Sequence, residues 1–462
     1  MLSEDGQVTV TRQLTGIRVR GLLGRFDHEI SFPESDEFII LHGPNGVGKT
    51  MLLELIQSLS GTLRVPTVHR IPFTDIRLTY SDGSQLEVSK AQQETLPLGE
   101  EFEKQIQQLF FSLRLPDGQE ITSNVGFDSD EFNTTRFRDW AARVLDLEPL
   151  GNDTWLTSAG YTISTMDLLS RYADRLPPRA LRMKEGRVDP NILNFLRENE
   201  VHLIETQRLL TLEDSDVNDL RRGSARNPAV SKVEAFAKDL TRRLAEALAE
   251  NSRTSQELDR TYPTRLLQAH TESPSEEKIR ERYSQQNELR KALSAISLLD
   301  EKVGQIVIPK KMEPWQRNVL WTYLEDTEKK LSTFSEILDK VSLLQEIVKS
   351  RFLYKHLKID RRRGLVLVSD EEAELGLSML SSGEQHELVL LYDLLFNVQP
   401  GALVLIDEPE ISLHVSWQKR FIEDLQRIAR LVQFRSVVAT HSPQIAGKWI
   451  SRMVSLGPDA AN

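Results

Sequence analysis

A chain of 462 residues, 39% hydrophobic and 27% charged, is long enough for two or three compact units, each with its own core. The complete absence of cysteine excludes disulfides and cysteine-ligated zinc, and a net charge of −11 argues against a charge-driven coat for DNA while leaving room for a local basic groove. No run approaches the roughly eighteen consecutive apolar residues of a membrane span, and "MLSEDGQVTV" lacks a signal peptide's apolar region, so the expectation is a cytoplasmic protein without membrane contact.

The N-terminal segment reads as strands. "IRVRGLLGRFDHEISF" has β-type composition, and "FIILH" (38–42) is a short buried strand that runs into a glycine-rich turn. "MLLELIQSLSG" follows with apolar residues at helical spacing and Gly61 as its stop. "DIRLTYSDGSQLEVSK" alternates around an Asp-Gly pair, and "FFSLRLPDGQEI" does the same, so both predict hairpins. Residues 130–200 read as mixed and mostly helical. "VHLIETQRLL" (201–210) then reads as a buried strand with a polar end.

From about 231 to 354 the chain is predicted to be mostly helix. Val233, Phe236, Leu240 and Leu244 form one stripe; Ile279, Tyr283, Gln286, Leu293 and Ile296 form a second. The third is the most regular: Leu320, Leu324, Thr327, Leu331, Phe334, Leu338, Val341, Gln345 and Val348 alternate steps of four and three. A sustained 3.5-residue repeat marks a coiled-coil seam, and a long helix in an ordinary bundle would carry the same stripe. At about 1.5 Å per residue the segment is about 50 Å long. The proline-bearing stretches "TYPTRLLQAHTESPSEE" and "IVIPKKMEP" are predicted to separate the helices. Strand composition returns at "LKIDRRRGLVLVS", in "ALVLI" (402–406) and in "RSVVATHS". The expected fold class is therefore α/β: a mixed P-loop sheet with helices, into which a helical or coiled-coil arm is inserted. The expected domains are residues 1–215, 216–349 and 350–462.

Several motifs point to chemistry. "GPNGVGKT" (43–50) matches G-x-x-x-x-G-K-[ST] between a strand and a helix. Its glycines let backbone N–H groups and the helix N-terminus face phosphate oxygens. Lys49 adds a point charge, and the Thr50 hydroxyl can ligate Mg²⁺. "LVLIDEPE" ends a buried strand on Asp407, placed to hold Mg²⁺ through water, and Glu408, placed to polarise an attacking water. His441 ends the next strand in "VVATHS", where it can sense a γ-phosphate; alone, such a histidine is more often structural. Gln207, at the end of an earlier strand in "ETQRLL", can ligate Mg²⁺ or the lytic water, or lie in a solvated loop. "LSSGEQ" (380–385) sets Ser381 and Gly383 directly before an apolar helix, either as a second anion site or as a plain helix cap.

In this order, the P-loop, the signature-like "LSSGEQ", the Asp-Glu strand and the histidine resemble the ABC-type ATPases, in the branch that holds the SMC, RecF and OLD families. The resemblance covers roughly 1–215 and 350–462. It implies that two heads face each other, so that ATP on one P-loop is completed by the signature of the other. It further implies that Asn45, Gly46, Gly48, Lys49 and Thr50 bind phosphates and Mg²⁺ while Ser381 and Gly383 reach the partner's γ-phosphate. Gln207 then takes the place of the Q-loop glutamine, Glu408 of the catalytic base and His441 of the switch. "EPEISLH" departs from the transporter pattern and looks like OLD- and RecF-like heads; the arm lacks a C-x-x-C hook.

OLD nucleases place a TOPRIM domain after the switch histidine, and only about twenty residues follow His441 here; no HNH-type cluster stands out among nine histidines. The layout therefore resembles the ATPase subunits of bacterial anti-phage systems, those of the AriA type in PARIS first and of the PtuA type in Septu next. That implies a slow ATPase that oligomerises through its heads and restrains a separate nuclease effector, of TOPRIM or HNH type, until a phage-encoded trigger arrives. The alternative is a RecF- or SMC-like ATP-gated DNA clamp. Its supporting feature is "KSRFLYKHLKIDRRRG", a basic run that can track phosphates, serve as solvated surface or dock an acidic partner.

Overall fold

The computed structural model describes residues 12–32, 37–91, 108–126, 134–151, 154–157, 160–172, 188–205, 232–267, 274–299 and 306–457. Seven strands come first: β1 (Leu14–Leu22), β2 (Phe26–Ser31), β3 (Phe38–His42), β4 (Asp75–Tyr80), β5 (Gln85–Lys90), β6 (Gln108–Arg114) and β7 (Glu120–Gly126). Four shorter ones follow, β8 (Leu147–Pro149), β9 (Thr154–Thr157), β10 (Thr162–Ser164) and β11 (Val201–Glu205). After a helical stretch come β12 (Lys355–Asp360), β13 (Gly364–Ser369), β14 (Glu374–Leu375), β15 (Leu403–Asp407), β16 (Arg435–Thr440) and β17 (Met453–Ser455).

These elements fall into two compact units, one of residues 1–206, 398–411 and 418–462, the other of 207–397 and 412–417. In the first unit, β11-β15-β16-β3-β17 form a sheet whose described pairs are all parallel. Parallel strands are covered on both faces, so they read as unbroken apolar runs: Phe38 to Leu41 and Leu403 to Ile406 are all buried. The second sheet, β2-β1-β4-β5-β6-β7, is antiparallel, and in β6 burial alternates along the strand. Both Asp-Gly hairpins form. Asp82 and Asp117 each accept the N–H two residues on, and Gly83 and Gly118 take left-handed φ of 86° and 85°. The P-loop helix Lys49–Ser58 joins Leu52, Leu53, Leu55 and Ile56 to one core with both sheets. Each such side chain contributes about 1.5–3 kcal/mol by burial.

Residues 134–172 are mixed, with more helix than strand, as expected, and include a small sheet that the sequence did not show. They form a three-stranded sheet, β10-β9-β8, with helices Thr135–Val144 and Thr165–Arg171, around Trp155, whose Nε1 donates to Thr165 Oγ1 at 2.9 Å. Three- and four-residue strands are too short to show a period in sequence.

The second unit holds helices Lys232–Leu267, Glu276–Ala295, Pro314–Ser332 and Ser335–Arg351, the β12-β13-β14 sheet, and helix Ser382–Phe396. One helix boundary differs from expectation, whereas the end at Leu267 and the next start at Glu276 both fall within the stretch predicted to separate helices. Pro263 does not stop its helix, which continues one turn to Leu267, where Arg265 pairs with Asp326. The 3.5-residue stripe is carried by two helices rather than one. At the join, Asn251 Nδ2 donates to the Lys330 carbonyl at 2.6 Å, and the Phe334 N–H turns to Leu331 O instead. The backbone stays right-handed at Thr333 and Phe334, so Phe334 remains in the core at 0% exposure.

Helix Ser382–Phe396 is fastened within its unit by Tyr392, which stacks between Phe236 and Phe396 and donates to Asp239 at 2.8 Å. One turn from its start, Glu387 is buried beside Arg351, 3.8 Å away. Burial pushes its carboxyl up to about 7 against the opposing pull of Arg351. A folded-state pKa raised above that of the unfolded chain means the native state holds the proton longer, so stability falls as pH rises from about 4.5 to about 7. Glu387→Gln is expected to flatten that fall and to gain about 1–3 kcal/mol at pH 8 relative to pH 5, read by denaturant melts at both pH values.

Candidate nucleotide site

The loop from Gly43 to Thr50 connects β3 to its helix in a shape that needs its glycines. Gly46 and Gly48 sit at φ 87° and 91°, and a Cβ on Gly43 would lie 2.1 Å from the Leu456 carbonyl oxygen. On Gly48 it would lie 2.8 Å from Leu22 Cδ2, whereas Gly46 faces open space. Gly48 is the helix N-cap and supplies no side-chain acceptor, so the first-turn N–H groups are left for something else. Asn45 is exposed at the crown of the loop.

Lys49 is 5% exposed and donates to the carbonyls of Gly43 at 2.9 Å and Pro44 at 3.1 Å. Its Nζ is also 3.5 Å from His441 Nδ1. Burial lowers the Lys49 pKa, while the charges of Glu408, Asp407 and Glu410 act to raise it. Thr50 Oγ1 donates to Asp407 Oδ2 at 2.7 Å. That pair of hard oxygen groups at the mouth of the loop is the donor chemistry that suits Mg²⁺.

Two strands deliver the opposite wall. In register, Asp407 lies beside Ala439 and Thr440 beside His42, so Glu408 and His441 follow from adjacent strand ends. The Glu408 N–H adds one more rung to Ala439 O at 2.9 Å, and the chain then turns at a left-handed φ of 46°. His441 Nε2 ends 3.3 Å from Glu408 Oε1. With the ammonium of Lys49 facing Nδ1, the ring proton belongs on Nε2, facing the carboxylate.

Lys49, Thr50, Asp407, Glu408 and His441 are thus gathered in the first unit. Ser381 and Gly383 lie in the second, at the start of helix Ser382–Phe396. There the capping reading of "LSSGEQ" is realised: Ser381 Oγ accepts from the Glu384 N–H, and Glu384 Oε2 accepts from Ser381 N and Oγ at 2.8 and 2.9 Å. Ser381 is nonetheless exposed. Gln207 lies outside the described residues; β11, which precedes it, pairs Glu205 with Asp407.

Two supporting residues carried no distinct signal in sequence. Buried His28 places Nε2 3.0 Å from Val47 O and so steadies the loop from β2. Glu410 accepts from the turn that bears His441, and only its place in "EPEISLH" drew notice.

The sequence profile of the AAA ATPase domain family matches residues 23–446, which takes in the P-loop, the Asp-Glu strand and His441. The chain belongs to that family of ATPases. Among curated proteins it is similar to the Retron Ec83 probable ATPase of Escherichia coli, 29% identical over 162 residues. That match spans 32% of this chain and 29% of the relative, less than a third of its length.

Among solved structures it is similar to an Smc head domain with an extended coiled coil, bound to the C-terminal domain of ScpA, from Pyrococcus furiosus. The identity is 12%, covering 96% and 93% of the two chains, with a TM-score of 0.32. The SMC head domain from Thermotoga maritima gives 11% over 94% and 91%, with a TM-score of 0.29. Among the described residues, no helix of this AAA-family chain is long and apolar enough to cross a membrane.

The ammonium of Lys49 and the uncapped helix start are the cationic and N–H groups that this loop can offer an anion. Lys49→Ala is expected to weaken ATP binding by about 100-fold or more, measured by calorimetry, with a melting profile close to the parent's.

Proposed function

We propose that this chain is an ATP-hydrolysing head that pairs with a second copy of itself and uses ATP as a conformational clamp. The observation that carries the proposal is the line Lys49 Nζ, His441 and Glu408, with steps of 3.5 and 3.3 Å, beside the 2.7 Å contact of Thr50 with Asp407. Lys49 exchanges its two loop carbonyls for the β and γ phosphates, and the Glu408 carboxylate accepts a proton from the attacking water. His441, carrying its proton on Nε2, donates to the γ-phosphate. Thr50 and Asp407 hold Mg²⁺, which when bound neutralises the charge that develops on the transferred phosphoryl group. Gln207, two residues past the strand beside Asp407, is assigned to the metal or the water. Asn45, Gly46 and Gly48 shape the loop around the phosphates. Ser381 and Gly383 act from the second copy, where the Ser381 hydroxyl gives up its contact with Glu384 for a phosphate oxygen.

For the biological role we favour a sensor and scaffold in anti-phage defence, which restrains a separate nuclease effector of TOPRIM or HNH type until a phage-encoded trigger appears. The similarity to a retron ATPase supports this reading. The basic run offers the DNA-clamp alternative less than its composition suggests. Lys355 pairs with Glu384, Lys358 with Glu372 and Arg363 with Glu374, while Arg361 donates to the carbonyls of Ser297 and Leu298. Arg351, at the foot of the run, is buried near Glu387. The ion pairs of Lys355, Lys358 and Arg363 thus reduce the charge that the run offers for tracking phosphates.

Glu408→Gln is expected to lower the hydrolysis rate by about 100-fold or more and to accumulate ATP-loaded assemblies of two or more copies, seen by native mass spectrometry. Unchanged hydrolysis would remove Glu408 from its role as base. Ser381→Arg mixed with Glu408→Gln should leave at most one working composite site per pair, whereas full activity of Ser381→Arg alone would reduce "LSSGEQ" to a helix cap. Purification of tagged Glu408→Gln from its native cells with ATP and Mg²⁺ should bring down a stoichiometric nuclease; recovery of DNA and no protein would favour the clamp.

A further inference from the structure

We infer that Glu410 is a positioning residue for hydrolysis, acting through His441: it holds the turn after β16 so that the imidazole stays between Lys49 and Glu408. This rests on the ATPase reading of the site. A strand end does not by itself direct the next side chain, because the residues beyond it leave the ladder and lose its hydrogen bonds. Here those bonds are replaced by one oxygen. Glu410 Oε1 accepts from Thr440 Oγ1 at 2.8 Å, from the His441 N–H at 2.6 Å and from the Ser442 N–H at 3.1 Å. Three consecutive residues thus converge on a single acceptor, with His441 in the middle.

The turn is closed from a second side. Gln418 Nε2 donates to the Glu410 carbonyl at 3.3 Å, and Gln418 Oε1 accepts from Ser442 Oγ at 2.9 Å. Thr440 Oγ1 also accepts the Ser442 N–H at 2.9 Å. The other end of the clamp is covalent. Glu408, the left-handed residue at φ 46°, and Pro409, whose ring fixes its own φ, turn the chain so that Glu410 returns under β16. The base and the histidine are therefore tied by backbone as well as by their 3.3 Å contact. A carboxylate suits the task because an ionised oxygen can accept several N–H and O–H donors together. The negative charge of Glu410 also acts on Lys49 in the direction that keeps its ammonium protonated.

The test compares Glu410→Ala, His441→Ala and the double variant in the full-length chain, by single-turnover ATP hydrolysis and by ATP affinity. Glu410→Ala should lower the hydrolysis rate 10- to 100-fold with Kd for ATP changed less than about threefold, and the double variant should be no slower than His441→Ala alone. Losses that multiply in the double variant overturn the inference, because Glu410 would then act independently of the histidine. So does undiminished turnover in Glu410→Ala beside a large loss in His441→Ala. Undiminished turnover in His441→Ala overturns instead the reading of the site itself. Should Glu410→Ala fail to fold, Thr440→Val removes one of the three donors. It should cost 3- to 10-fold in rate in the parent and nothing further in the His441→Ala background; an equal loss in both backgrounds overturns the inference.

Discussion

Because β16 lies between β15 and β3, with Ala439 opposite Asp407 and Thr440 opposite His42, three segments leave the sheet from neighbouring carboxyl ends, about 5 Å apart per strand. One carries the acids, one the histidine and one the P-loop. A slip of one residue in either ladder would turn alternate side chains to the opposite face and part these groups. Because the apolar runs of β3 and β15 are buried on both faces, alternation alone does not oppose such a slip; the close packing of the side chains that cover them does. The packing of an ordinary parallel core thus sets the distances between charged groups at its rim.

At that rim the charges are balanced locally. Lys49 is deeply buried for an ammonium, and desolvation works against its charged form. The loop carbonyls and the three acids at and just beyond the end of β15 offset that cost. The ammonium is therefore held by neutral acceptors and by charges beside it. Thr50 and Asp407 likewise satisfy each other. Helix Ser382–Phe396, in the other unit, begins on a comparable arrangement, with Ser381 engaged by Glu384 and Glu384 by Lys355.

Much of the fold was legible in the sequence because its signals are local. The two Asp-Gly hairpins, the apolar parallel strands and the P-loop each declare themselves within about ten residues, where backbone sterics and periodicity decide the outcome. The stripe from Leu320 to Val348 was legible as a buried face but not as two helices. At the break the Lys330 carbonyl accepts from Asn251, about eighty residues earlier, as well as from the nearby Thr333 hydroxyl. The small sheet around Trp155 was illegible for another reason: its strands are shorter than the window in which alternation can be told from chance. The basic run was legible as composition, whereas its ion pairs depend on acids brought alongside by the turn after β13, by β14 and by helix Ser382–Phe396.

The sequence alone determined the chemical class of the site, since G-x-x-x-x-G-K-T after an apolar strand has few other uses and an Asp-Glu pair ending a buried strand calls for a cation or water. It also marked His441 and "LSSGEQ" as places to look. Only the tertiary structure decided what these residues meet. Lys49 and His441 are 392 positions apart and Thr50 and Asp407 are 357 apart, and nothing local links them. Glu410 shows the limit most clearly. In one dimension it is one of 69 acidic residues; its place beneath the His441 turn follows from the register of two strands and the left-handed turn at Glu408.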